Sequence, residues 1–169
     1  MLIIQEINII KYNINMLDIE DFKKKLKKKS RLMGIDPGRK RIGIAISDEN
    51  KIVATPYTTI IKNKYSDFID EIKKIIEDNQ IKGIVIGNPI NMNGSPSQSS
   101  QSAKDLAINL SKDVTENITV WDERLSSQGA FNLSNDLASN ISSKVKKLDE
   151  NSAQFILQGA LDYITKENT

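Results

Sequence analysis

The stretch LMGIDPGRKRIGIAISD, residues 32–48, decides how the chain folds. An apolar run ends in a lone carboxylate, Asp36; a Pro-Gly pair turns the chain, three basic residues follow, and a second apolar run begins at Ile42. Two such runs across so short a turn pair as an antiparallel hairpin. Asp36 then stands at the tip of a core strand, beside Gly38, Arg39, Lys40 and Arg41.

Outward from this hairpin, residues 31–36, 41–47 and 52–61 read as three consecutive strands joined by short loops. Tyr65, Phe68, Ile69, Ile72 and Ile76 then fall at helical spacing, and KGIVIG at 82–87 is a short buried strand. The loop NPINMNGSPSQSS leads to a second helix carrying Ala103, Leu106, Ala107 and Leu110 on one face, and NITVWDE at 117–123 is a fifth strand. A third helical stretch spans about 126–137, and SNISSKVKK after it is polar enough to be mobile. The last helix, beginning near Asp149, shows one continuous apolar stripe of Ala153, Ile156, Leu157, Ala160, Leu161 and Ile164. The order is an α/β fold: a five-stranded mixed sheet, three antiparallel strands then two parallel ones, flanked by helices.

Residues 1–30 read as an N-terminal extension with a short basic helix, and 31–169 as the main domain. Met16 is an alternative start, because MLDIEDFKKKLKKK from there has acids at its head and lysines at its tail, as a helix dipole prefers. No run is long and apolar enough for a membrane span. A net charge of only +2 leaves nucleic-acid binding to local patches, of which KKKLKKKSR at 23–31 and KVKK at 144–147 are the densest, each equally readable as a solvated face.

The missing residue types narrow the chemistry. With no histidine and no cysteine, the chain builds neither a Ser-His-Asp or Cys-His nucleophilic site, nor a zinc site of the usual ligands, nor a disulfide. The lack of cysteine fits a reducing cytoplasm. Any catalysis rests on carboxylates, whose natural metal is a hard divalent ion, Mg2+ or Mn2+.

Right-handed crossovers make strands four and five parallel to strand one, so their carboxyl ends open on one sheet edge. That edge collects Asp36, Asn88, and Asp122-Glu123-Arg124, with Asp149 four residues before Ala153 of the last helix's stripe. Converging acids repel one another unless a cation compensates them, and two divalent ions held there suit phosphodiester hydrolysis. Each acid also has a structural reading: Asp36 as a turn residue, Asp149 as an N-cap, Asp122-Glu123 as a strand end at the surface. Asp48, followed by Glu49-Asn50, reads as turn chemistry.

IDPGRKRIGIAISD, VIGNPINMNGS, WDERLSS and KVKKLDENSAQFILQGALDYI are similar to the successive signatures of the YqgF/RuvX family, over about residues 31–165. The resemblance implies an RNase H-like core and a cytoplasmic, two-metal-ion endonuclease maturing the 5′ end of the pre-16S ribosomal RNA. By motif, Asp36, Glu123 and Asp149 correspond to the catalytic, metal-holding acids. Gly38 lets the backbone approach substrate, Asp122 is supporting, and Arg39, Lys40, Arg41, Asn88 and Arg124 meet nucleic acid. Asn88 stands where the family has leucine, Ser126-Ser127 where it has a Thr pair, and Ser152 where it has alanine. Branched DNA is the alternative substrate, ribosomal particles are further partners, and a monomer or homodimer is expected. A non-catalytic RNA-binding assembly factor is the rival role. An actin-like ATPase is disfavoured, because those proteins need two such domains and this chain has room for one.

Overall fold

The computed structural model describes residues 15–89, 93–95, 97–125 and 141–166, of which the side chains of 141–150 are not described. The elements are β1 (Met16–Leu17), α1 (Ile19–Lys25), β2 (Arg31–Asp36), β3 (Arg41–Ser47), β4 (Ala54–Ile61), α2 (Tyr65–Asn79), β5 (Ile81–Asn88), α3 (Gln98–Asp113), β6 (Asn117–Asp122) and α4 (Ile141–Thr165), with a 3-10 turn at Glu123–Leu125. The strand order is β1-β6-β5-β2-β3-β4. β2 pairs antiparallel with β3, and β3 with β4, while β2, β5, β6 and β1 run parallel. This is the mixed sheet expected from the sequence, with one correction: there are six strands, not five. The sixth is two residues long, too short to show any alternation, and it forms because Met16 and Leu17 fall into register with Ile118 and Thr119.

Two cores sandwich the sheet. α2 and α3 cover one face, burying Phe68, Ile72, Leu106 and Leu110 against Met33, Ile35, Ile84 and Ile86. α1 and α4 cover the other, where Phe22, Leu32, Val85, Trp121, Leu157 and Leu161 meet. Alternate residues of each strand thus serve opposite cores, as the two-residue period requires. α1 starts on Asp18, whose carboxylate accepts the Asp21 N–H at 2.8 Å, and its lysines gather in the last turn. Phe22 on this short helix is fully buried, so residues 16–25 pack as part of the same body as the sheet. Among the described residues no helix is long and apolar enough to cross a membrane.

Two boundaries differ from the sequence reading. The third strand starts at Ala54 rather than near Ile52, because Ile52 and Val53 lie in the β3–β4 turn and are exposed. There Asp48 accepts the N–H groups of Ile52, Val53 and Asn50 at 2.7, 2.8 and 3.1 Å, and Lys51 sits at a positive φ of 60°. Asp48 is therefore a turn residue, as expected. The last helix begins at Ile141, not near Asp149, so most of SNISSKVKK is helical and Asp149 is no N-cap. Ile141, Val145 and Leu148 stand at helical spacing, a signal that the surrounding serines and lysines mask.

α4 also protects the open side of β4. The Gln158 side chain accepts the Ala54 N–H at 2.8 Å and donates to the Ile52 carbonyl at 2.9 Å, while Gln154 donates to the Ala54 carbonyl at 2.9 Å. Side-chain amides thereby occupy backbone groups that an edge strand would otherwise offer to another chain.

Replacing Asp48 by Ala should cost about 1–2 kcal/mol in urea unfolding at pH 7, since it strands three turn N–H groups. Those bonds, Val53's first, hold the Asp48 carboxyl below its ordinary 3.8. A group depressed on folding stabilises above its unfolded value and loses that effect as pH falls through the folded one. The variant and the wild type should thus converge in strong acid.

Candidate active site

β2, β5 and β6 are parallel, so their carboxyl ends open on one edge of the sheet. Asp36 ends β2. Alternation from Ile35, which lies in the α2/α3 core, puts Asp36 on the opposite face, the one that α4 covers. On that face Ala153 and Leu157 of α4 pass directly over Gly34 of β2.

Glu123 opens the 3-10 turn that follows β6, which carries its side chain back over the end of β5. A Cβ placed on Gly87 would lie 2.7 Å from Glu123 Oε1 and 2.4 Å from Ile156 Cδ1. Only glycine therefore leaves room for the carboxyl and for α4 at this point. Burial, first, and then the charges of Asp36 and Asp122 push the Glu123 carboxyl up to about 7. The charge of Asp36 thus reaches the half-buried Glu123 carboxyl and disfavours its ionisation.

Asp122 is different. Its Oδ2 accepts Arg124 Nη2 at 2.7 Å, Arg124 Nε reaches both oxygens at 3.1 and 3.2 Å, and Oδ1 accepts the Arg124 backbone N–H at 3.0 Å. These bonds, the side-chain one first, hold its carboxyl below the usual range. Arg124 is consequently clamped in one orientation, with Nη1 3.4 Å from the position a Cβ on Gly94 would take. The loop after β5 is pinned near this guanidinium by the Ser97 hydroxyl, which donates to the Pro89 carbonyl at 2.7 Å.

The remaining sequence candidates divide. Arg39 and Lys40 are exposed on the β2–β3 turn, and Arg41 is half-buried and already engaged. A Cβ on Gly38 would come 2.0 Å from the Arg41 carbonyl oxygen, so the turn closes this tightly only with glycine there. Asn88 is 7% exposed, pairs across with Asp122, and keeps its Oδ1 without a hydrogen-bond partner among the described residues. Asp149 lies inside α4, two turns after its start; its side chain, like those of the KVKK patch, falls outside the described residues. The third helical stretch expected over 126–137 lies outside them too. Among the described residues no three acids gather closely enough to hold a metal ion.

Sequence reasoning missed Gly87 as the floor of the pocket. A glycine inside a buried strand signals close approach of another group, and that signal was present.

The chain is 52% identical over 149 residues to a protein of Pelagibacter ubique (strain HTCC1062) named "Putative pre-16S rRNA nuclease", covering 88% of this chain and 99% of that relative. A relative of the same name from Rhodobacter capsulatus is 39% identical over 144 residues, covering 85% and 91%. Among solved structures, Thermus thermophilus RuvC in complex with a Holliday junction substrate matches with a TM-score of 0.49 at 10% identity, over 77% of this chain and 91% of that one. The yeast mitochondrial Holliday junction resolvase Ydc2 matches with a TM-score of 0.45 at 12% identity, over 86% and 84%. The family described as RuvX, Holliday junction resolvase, matches residues 30–163, and the protein therefore belongs to the RuvX family.

Proposed function

We propose that this protein is a divalent-metal-dependent nuclease that hydrolyses phosphodiester bonds of the small-subunit ribosomal RNA precursor, working in the cytoplasm. The observation that carries the reading is the Glu123 carboxyl seated over Gly87 at the sheet edge where Asp36 ends β2, pushed up to about 7 by burial and by the charges of Asp36 and Asp122. Membership of the RuvX family and the names of its relatives agree with it.

The donor set fits a hard cation. It is made of carboxylate oxygens, in a chain with no imidazole or thiolate, and the Glu123 carboxyl, raised by burial and by neighbouring negative charge, is one that a cation would compensate. Asp36 and Glu123 would hold Mg2+ or Mn2+ together with Asp149, which lies four residues before Ala153 on the helix crossing β2. A pair of such ions, when bound, supplies Lewis-acid stabilisation of charge on the phosphodiester.

The chain's own residues supply the rest. Gly87 keeps the Glu123 carboxyl seated, and Gly38 lets the backbone of the turn come close to a strand. Asp122 fixes Arg124, using the Nε and Nη2 side of its fork and leaving Nη1 to a phosphate oxygen. Arg39 and Lys40 meet the flanking backbone without reading sequence.

The test is cleavage by the purified chain of a precursor RNA spanning the mature 5′ end, beside a four-way DNA junction, with Mg2+, with Mn2+ and with a chelator. Metal-dependent cuts in the RNA are expected. Cleavage of the junction alone would move the substrate to DNA, and cleavage of neither would leave an RNA-binding factor.

A further inference from the structure

On the opposite face of the same sheet edge lies a concavity of about 310 Å3 lined by Pro37, Gly38, Arg39, Ile42, Lys62, Gln98, Ser99, Ser102 and Leu106. Its floor is apolar, since Ile42 and Leu106 belong to the α2/α3 core. Its rim is basic. Arg39 comes from the β2–β3 turn and Lys62 from the residue after β4, two segments that the Lys62 N–H ties together by donating to the Lys40 carbonyl at 2.8 Å. Neither side chain is ion-paired with a carboxylate among the described residues, and no acid lines the concavity. Across from them stands the exposed hydroxyl of Ser99, which makes no hydrogen bond among the described residues, and beside it the Gln98 side chain.

We infer that this concavity is an anion subsite that takes a backbone phosphate of the nucleic-acid strand, one step along from the bond at the acids. Two cations facing one hollow repel each other, and an anion between them removes that repulsion while keeping both ammonium and guanidinium hydrated at the rim. Ser99 and Gln98 supply neutral donors to the remaining oxygens. The wall begins at Pro37, immediately after Asp36, so a strand whose scissile bond lies at Asp36 and Glu123 on one face passes over the turn and meets Arg39 and Lys62 on the other. Lys62 thereby joins the phosphate contacts although it lies outside every recognisable motif. The assignment of the phosphate to a nucleic-acid strand rests on the nuclease reading; the affinity of the hollow for phosphate does not.

Two measurements separate these. Inorganic phosphate titrated into the full chain should shift the amide NMR signals of Ser99, Ser102 and Lys62 saturably in the millimolar range, and the double variant Arg39→Ala/Lys62→Ala should lose the shifts while keeping its dispersed spectrum. Binding of an RNA oligonucleotide in chelator should weaken roughly tenfold in the double variant. Its slope of log affinity against log salt should fall by about 0.7, as for one phosphate of a single strand no longer neutralised. Lys62→Arg, which keeps both cations, should retain most of both. Phosphate shifts without any effect on RNA binding would keep the subsite and overturn its assignment to the strand. Absence of shifts at Ser99, Ser102 and Lys62, with an unchanged salt slope, would overturn the subsite itself, whether or not the protein cuts RNA.

Discussion

Asp36→Asn should reduce metal-dependent cleavage by on the order of a thousandfold, equivalent to about 4 kcal/mol of transition-state stabilisation. The amide is nearly isosteric, so β2 keeps its pairing with β3 and β5, and the hairpin turn held by Gly38 is untouched. What changes is charge. A neutral amide oxygen holds a hard cation far less tightly than a carboxylate does. The same change removes the second-largest cause of the raised Glu123 carboxyl, which should fall part of the way back towards 4.5. The metal-free variant should therefore melt no lower than wild type at pH 8, and slightly higher if repulsion between the two acids is as strong as their shared burial implies. Turnover equal to wild type in a folded Asp36→Asn protein would overturn the site.

The hairpin was legible because local rules and tertiary structure agree there. Residues 31–36 and 41–47 are short apolar runs, the Pro-Gly pair turns the chain, and the strands form over those residues. The convergence of Asp36 with the segment after β6 was legible for a different reason: the handedness of crossovers fixes which strand ends share an edge, whatever the loops do. The sixth strand was not legible, since two residues carry no period and they pack on opposite cores, Met16 on the α2/α3 side and Leu17 with Phe22. Nor was the start of α4. Its first turns are rich in serine and lysine, whose composition resembles a loop, and only the spacing of Ile141, Val145 and Leu148 marks them as helix.

Side-chain partnerships were the least legible layer. Arg124 reads from sequence as a free guanidinium beside two acids, yet the structure gives Asp122 to it and leaves Glu123 over Gly87. One residue of register decides this. Asp122 is the last residue of β6 and Glu123 the first of the 3-10 turn, so their carboxyls leave the chain in different directions. Asn88 is the converse case, a polar side chain at the right edge that is buried with its Oδ1 unpartnered among the described residues.

Glu123 links the site to stability. Its carboxyl, raised from 4.5 to about 7, binds a proton more tightly in the folded chain than in the unfolded one. Between those values the folded state holds more protons, so the contribution of this group to stability is intact below about pH 4.5 and is lost as pH climbs through 7. With screening by the solvent that reaches a half-buried group, the loss should be about 2 kcal/mol in metal-free protein. Glu123→Gln should abolish that slope and be the more stable form at pH 8, with cleavage lost. Gly87→Ala tests the seat rather than the charge. Its methyl group falls 2.4 Å from Ile156 Cδ1 and 2.7 Å from Glu123 Oε1, so one or both must move. Overpacking of this kind costs about 1–3 kcal/mol. If the carboxyl is the group that yields, it swings towards water, its pKa returns towards 4.5, and the pH slope disappears along with at least about a hundredfold of activity, as for loss of one positioned charged group. Glu123 titrating near 7 by NMR in the Gly87→Ala protein, with wild-type cleavage, would show that the glycine does not seat the carboxyl, and a wild-type titration near 4.5 would remove the electrostatic basis of the site.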